Sequence, residues 1–335
     1  MTDITRTWWA EGTKTMLHLI TLRNWAREQI EEVLDLAAEM KKVPEKFQDA
    51  MRGKVLVMIF EKPSLRTRVS FETGMCQMGG DAIYYDMSTS PLGMGKETIH
   101  DTIRTLSRYV DLIMARLYEH EKIEEMATYS EIPVINGLTN FSHPCQVLAD
   151  LLTVRDYKGS LRGRTLAYLG DAKNNVTHSL LYGCSKMGVN IRVGCPEGED
   201  YSPLPEVLSS ALEAGKQSGA SVKVTHNPFE AVEGADIIYT DSWMSYHIPP
   251  EELEARVKAL TPFQVDAKKM ALGAPDAIFM NCLPALRGCE QTAEVIDGPH
   301  SVVFDQAENR LHTQKALMVT LLKGAGSYGC WLKDQ

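Results

Sequence analysis

Lys54-Val-Leu-Val-Met-Ile-Phe60 runs directly into Glu61-Lys-Pro-Ser-Leu-Arg-Thr-Arg-Val-Ser-Phe-Glu72. The first stretch is a short apolar run and reads as a buried strand. Pro63 breaks it, and Ser64 is a good helix N-cap. Arg66, Thr67 and Arg68 then fall in the first turn of a helix over 66–78. Free backbone N–H groups, a hydroxyl and a guanidinium converge there on the positive end of the helix dipole. An arginine at that end opposes the dipole unless an anion or a carboxylate sits beside it. The segment is therefore a candidate phosphate site.

The same strand-then-helix unit repeats outward from this point. Further strands are expected at 82–85, 112–116, 133–136, 165–171, 190–195, 222–226, 237–241 and 277–283. Helices are expected at 25–41, 97–109, 121–129, 145–156, 175–187 and 205–219, with a final one at 314–322. Such alternation gives parallel sheets covered by helices on both faces. The fold class is α/β, with two doubly wound parallel-sheet domains. With 335 residues the chain exceeds what one core usually supports. The expected division is 1–150, 151–312, and a C-terminal segment 313–335 whose helix packs back on the first domain. Ligands in such folds sit at the carboxyl ends of the strands, so the polar residues after each strand are the ones to inspect.

Composition narrows the function. A formal net charge of −9 disfavours general nucleic-acid binding. It leaves room for a small anion, because short-range contacts in a desolvated cleft outweigh distant, screened charge. No apolar run is long enough to cross a bilayer, and the N-terminus lacks a secretion signal, so no membrane partner is expected. The seven cysteines are odd in number and scattered without a CxxC pair. That reads as a reducing cytoplasm, with neither a disulfide framework nor a zinc site. No strand is followed by GxGxxG, which argues against a nucleotide-dependent dehydrogenase.

Two more features converge with the phosphate turn. Arg116 ends the strand over 112–116, and His143-Pro-Cys-Gln146 follows the strand that begins at Pro133. Both fall at carboxyl ends of the same expected sheet. Arg116 alone could be a salt-bridged strand end, and His143 alone a cap. As a set they aim Arg, His and Gln donors at one crevice.

Ser64-Leu-Arg-Thr-Arg68, Arg116 and His143-Pro-Cys-Gln146 resemble the carbamoyl phosphate site of the aspartate/ornithine carbamoyltransferase family, from about Leu17 to Leu322. The resemblance implies that Ser64, Leu65, Arg66 and Thr67 hold the phosphate, Leu65 through its backbone. It places Thr67, Arg116 and His143 around the carbonyl oxygen and Gln146 at the carbamoyl NH2. Cys282, Leu283 and Arg310 would complete that site. Asp241 and Cys282 would orient the attacking amine. No metal and no organic cofactor is implied, and a homotrimer with 90–96 crossing to a neighbouring site is.

Three later segments bear on the acceptor: Gly170-Asp-Ala-Lys-Asn-Asn175, Thr240-Asp-Ser-Trp-Met-Ser245 and Asn281-Cys-Leu-Pro284. They resemble the ornithine branch of the family, as does Gln306-Ala-Glu-Asn-Arg310-Leu-His-Thr-Gln314. The branch commonly carries Asp-x-Trp-x-Ser-Met-Gly and His-Cys-Leu-Pro. Here Tyr246-His247 and Asn281 stand in place of Met-Gly and His. Asn175, Asp241, Ser245 and Tyr246 are the implied contacts to ornithine, whose carbamoylation gives citrulline in arginine biosynthesis. A diamine such as putrescine is the alternative acceptor, and an inactive regulatory homologue the non-enzyme reading. Cys145 favours ornithine, since Thr is commoner there in putrescine enzymes.

Overall fold

The computed structural model describes residues 17–244 and 248–324. In its first half, β1 (Val55–Phe60), β2 (Asp81–Asp86), β3 (Leu112–Arg116) and β4 (Val134–Leu138) form a parallel sheet in the order β2-β1-β3-β4. Around it lie α1 (Arg27–Lys42), α2 (Leu65–Gln77), α3 (Ile99–Tyr109), α4 (His120–Tyr129) and α5 (Pro144–Lys158). In the second half, β5 (Thr165–Leu169), β6 (Asn190–Gly194), β7 (Val222–Thr225), β8 (Ile237–Thr240) and β9 (Ile278–Asn281) form a parallel sheet ordered β7-β6-β5-β8-β9. Its helices are α6 (Asn175–Met187), α7 (Pro205–Ser218), α8 (Pro228–Val232), α9 (Leu253–Leu260), α10 (Ala267–Met270) and α11 (Ala293–Ile296), and α12 (Val303–Lys323) follows.

All nine expected strands are present, with ends moved by at most two residues. The expected strands over 165–171, 237–241 and 277–283 stop early, at Leu169, Thr240 and Asn281. Each runs at once into a turn, through Gly170-Asp171, Asp241 and Cys282-Leu283. Gly170 has φ 137°, a conformation L side chains rarely adopt, and Leu283 has φ 56°. After β8 and β9 the turns carry Asp241, Ser242, Cys282 and Leu283 into a crevice between the two sheets.

The larger departure is the last helix. It begins at Val303 rather than near 314. Its first half is polar yet buried: Gln306, Asn309, Arg310, Thr313 and Gln314 are all shielded from solvent. An apolar period cannot reveal a helix whose inner face is built from hydrogen-bonding side chains. α12 touches β9 near its start and packs along α1, α2 and α5 of the first half. Short α8, α9, α10 and α11 carry too few periods to be read from sequence.

α5 is buried on nearly every side. Pro144 opens it, and Gly159 closes it in the left-handed conformation, φ 72°. It lies against β4 on one side and α6 on the other, so its first turn sits where the two sheets meet. The α5–α6 packing is close. A Cβ on Gly183 of α6 would stand 2.6 Å from Val147 Cγ1 of α5, with Leu22 Cδ1 at 3.3 Å and Leu151 Cδ1 at 3.4 Å. Gly183→Ala should therefore destabilise the fold, although alanine is the better helix former by about 1 kcal/mol. Overpacking costs about 1–3 kcal/mol, so thermal unfolding should begin several degrees lower. A raised melting temperature would contradict this packing.

Candidate functional site

Both sheets change direction at their centres, and the two switch points face the same crevice. In the first sheet the switch lies between β1 and β3, where Phe60 and Arg116 are register partners. In the second it lies between β5 and β8, where Leu169 pairs with Thr240. A cavity of about 490 Å³ occupies this place. Among the described residues its charged lining is Lys62, Arg66, Arg116 and Arg310 against one carboxylate, Asp241. That balance selects an anion in a protein whose net charge is negative.

α2 begins as the sequence implies. Ser64 is its N-cap, and its Oγ accepts a hydrogen bond from the Thr67 N–H at 3.2 Å. No acidic residue occupies the first turn, so its positive end is not neutralised locally. The two arginines diverge. Arg66 faces inward and donates from Nη2 to the Leu283 carbonyl at 2.5 Å. Arg68 turns outward, pairs with Glu72 at 3.0 Å and lies over the Tyr84 ring. Leu65 is exposed and lines the cavity mouth.

Thr67 gathers the deeper cations. Its Oγ1 accepts from Arg116 Nη1 at 3.4 Å and from Arg310 Nη2 at 3.3 Å. Arg310 is only 2% exposed and forms no salt bridge with any described carboxylate. Its other partners are the neutral amides of Gln146, at 2.8 Å, and Gln314, at 2.9 Å. A guanidinium buried among neutral groups is costly until a counter-charge arrives.

His143 caps α5. Its backbone N–H donates to Ser179 Oγ at 2.8 Å, which leaves the imidazole to the crevice. Nδ1 is buried without a hydrogen-bond partner among the described residues. Burial, then Arg310, Arg116, Lys62 and Arg66, hold its pKa well below the usual histidine range. The ring is therefore a neutral donor or acceptor at pH 7.

On the opposite wall, Cys282 donates from Sγ to Asp241 Oδ1 at 2.9 Å. Burial and then the Asp241 charge keep the thiol protonated, well above its usual range. Asp241 is itself raised by burial, and offset by that thiol and by the Ser242 N–H. Asn175 lines the cavity and donates to the Thr139 carbonyl at 2.6 Å, while the preceding Asn174 is the residue that caps α6. Asp171 is taken up in a buried ion pair with Arg256, so its carboxylate does not serve the crevice. Ser245 and Tyr246 lie outside the described residues.

Asn281, where the related motif has histidine, does not line the cavity. Its amide braces the turn that follows: Oδ1 accepts the Leu283 N–H at 2.7 Å, and Nδ2 donates to Gln291 Oε1 at 3.1 Å.

Two residues escaped the sequence reading. Lys62 lines the cavity at 3% exposure, beside Asn140 Oδ1 at 3.2 Å. Burial and then Arg116 lower its pKa to about 8. Its place between a strand and Pro63 was visible, but a lysine there is ordinarily solvated. Asp150 lies one helical turn after Gln146 and receives its amide at 2.9 Å. Burial pushes that carboxyl up to about 7. A lone acid on an otherwise apolar helix face was the available signal.

Comparison with known proteins agrees with this geometry. An ornithine carbamoyltransferase of Bacillus subtilis is 50% identical over 322 residues, covering 95% of this chain and 99% of that one. Among solved structures, ornithine carbamoyltransferase from Pyrococcus furiosus superposes with a TM-score of 0.87 at 46% identity, over 92% of this chain and 97% of that one. Ornithine transcarbamoylase from Giardia lamblia gives 0.84 at 42%, over 92% and 99%. The model of the carbamoyl-P binding domain of aspartate/ornithine carbamoyltransferase matches 17–156, and that of the Asp/Orn binding domain matches 162–321. With both halves matched in order and the cation-lined crevice between them, the chain belongs to the aspartate/ornithine carbamoyltransferase family.

Proposed function

We propose that this enzyme transfers the carbamoyl group of carbamoyl phosphate to the side-chain amine of L-ornithine, giving L-citrulline and phosphate. The observation that carries the reading is Arg310, buried at the crevice with only neutral partners and flanked by Arg66, Arg116 and Lys62. A doubly charged phosphoryl compound supplies the missing counter-charge. The stretch to residue 150 serves as the carbamoyl phosphate domain and 151–312 as the ornithine domain, with the C-terminal segment returning to the first.

In this reading the phosphate rests on the first turn of α2, on the N–H groups beside Leu65, on Ser64, and on Arg66 and Thr67. Thr67, Arg116 and His143 surround the carbonyl oxygen, where negative charge grows as the amine adds. Positive potential fixed in advance at that oxygen lowers the barrier, and one such donor is worth about 2.7–4 kcal/mol. The amine nitrogen bonds to the carbonyl carbon, the carbon–oxygen bond to phosphate breaks, and phosphate leaves with that electron pair. An alkyl ammonium has a pKa of about 10.4, so it must shed a first proton to solvent before attack. Asp241, held by the Cys282 thiol, orients the amine, and the departing phosphate accepts the second proton, which the nitrogen releases once its bond to carbon has formed. Asn175, Ser245 and Tyr246 hold the amino-acid end. Leu283 presents its carbonyl at the same wall. The two substrates meet in one crevice, which adds a proximity contribution to the rate.

The setting is the cytoplasm, in arginine biosynthesis, and the assembly is a homotrimer. No residue of 90–96 lines the crevice of its own chain, and Met94 in that segment is 57% exposed. A segment of this kind can complete a neighbour's site.

Wild-type protein offered carbamoyl phosphate with ornithine, putrescine, lysine or aspartate should form a ureido product chiefly from ornithine. Arg66→Ala should stay folded and lose saturation by carbamoyl phosphate; normal saturation in that variant would overturn the phosphate assignment. Light scattering should give three times the chain mass, and an active monomer would refute the shared site. His143 in the ligand-free protein should keep the nitrogen shifts of a neutral imidazole as pH falls from 8 to about 5.5, because its shift is downward. A titration midpoint near 6.5 would contradict the surroundings described for it.

A further inference from the structure

Under the crevice, one carboxyl group meets two glutamine amides. Asp150 Oδ1 accepts from Gln146 Nε2 at 2.9 Å and from Gln306 Nε2 at 2.7 Å. Its Oδ2 accepts from the Tyr239 hydroxyl at 3.2 Å. Asp150 is 1% exposed, so water does not substitute for these partners. An oxygen in this position can be satisfied only by N–H groups. Each amide must therefore turn its NH2 toward Asp150 and its carbonyl away.

For Gln306 the carbonyl then meets the Asn281 N–H at 3.0 Å. For Gln146 it accepts from Arg310 Nη1 at 2.8 Å, at the cavity wall that both residues line. Reversing the Gln146 amide would set oxygen against the carboxyl oxygen and NH2 against a guanidinium. Two contacts would become repulsive at once. A carbonyl oxygen has two lone pairs, and Arg310 takes one. The wall at Gln146 thus presents an acceptor, not a donor. Protonation of Asp150 does not alter this, since a carboxylic acid with its proton on Oδ2 still has Oδ1 as an acceptor.

We propose that Asp150 is a positioning residue that selects the donor substrate: by fixing the Gln146 carbonyl toward the crevice it makes the site require an acyl group bearing N–H, admitting carbamoyl and rejecting acetyl of the same size. This rests on the carbamoyl phosphate reading given above. A methyl group placed against that carbonyl leaves a buried acceptor unmet, and such sites discriminate strongly between otherwise matched ligands.

The test compares two inhibitors of nearly identical shape, carbamoylmethylphosphonate and its methyl-ketone isostere 2-oxopropylphosphonate, in competition with carbamoyl phosphate on the full chain. Wild type should bind the amide roughly tenfold tighter or more. Asp150→Leu keeps the branched shape, though with greater bulk, and removes the acceptor, and should narrow that ratio several-fold. Asp150→Ala serves the same end if the leucine variant does not fold. Asp150→Asn, whose carbonyl can replace Oδ1, should retain most of the preference. General loosening of the site would weaken both phosphonates alike and leave the ratio unmoved. Equal binding of the two by wild type overturns the proposal, as does an unchanged ratio in a folded Leu or Ala variant. Ornithine carbamoylation by wild type separates the failures. An active enzyme that ignores the difference between amide and ketone loses this proposal alone, whereas a protein that binds neither phosphonate loses the reading beneath it.

Discussion

The structure depends on positive charge held where water cannot reach it. Arg310, on a helix that follows the second sheet, donates to Thr67 on a helix that follows the first strand. Arg116 approaches the same hydroxyl from the end of β3. Bringing these cations together opposes folding on electrostatic grounds, and the rest of the molecule offsets it. Two apolar sheets, a central helix buried almost all round, and a seam of neutral amides hold the guanidiniums at fixed places. A crevice of this kind is poorly solvated when empty and well matched to an anion when filled. The same feature that weakens the empty protein provides the binding energy.

The seam itself is polar rather than greasy. Gln306 joins Asp150, Tyr239 and the start of the Asn281 turn, while Asn309 joins Thr153, Asp156 and Lys41. Each of these groups would be expensive to bury alone, and each is satisfied by a partner on another element. Directional contacts fix relative placement more narrowly than apolar packing does. Thr67, Arg116 and His143 come from the first half, and the Asp241–Cys282 pair on the opposite wall comes from the second. A small slip between the halves would separate them.

Much of this was legible in the residues. The central strands announce themselves because each is a short apolar run closed by a turn and buried on both faces, and the half-exposed edge strands β2 and β7 follow from the alternation of strand and helix around them. The capped start of α2 was legible for a different reason: Ser64, Arg66 and Thr67 are local, and such a start is decided within a few residues. What was hidden is non-local. The first half of α12 looks like a loop until its amides are seen paired across the seam. Lys62 looks solvated until Arg116 and Asn140 enclose it. Asp150 stands out as a lone acid on an apolar helix, but its partners Gln306 and Tyr239 lie far away in sequence. Arg68 carries the opposite lesson, since it shares a turn with Arg66 but is drawn away by Glu72 and Tyr84.

α12 has a consequence for how the molecule is made. Thr67 and Arg310 are 243 positions apart along the chain. During synthesis the first sheet can form while most of the second is still unwritten, yet its anion-binding floor has no Arg310 and α5 lacks its amide partners. Until the last long helix docks, the nascent first half therefore lacks both Arg310 and the apolar residues 316–319 and 321 that α12 adds to its core. Contacts of such long sequence separation form late.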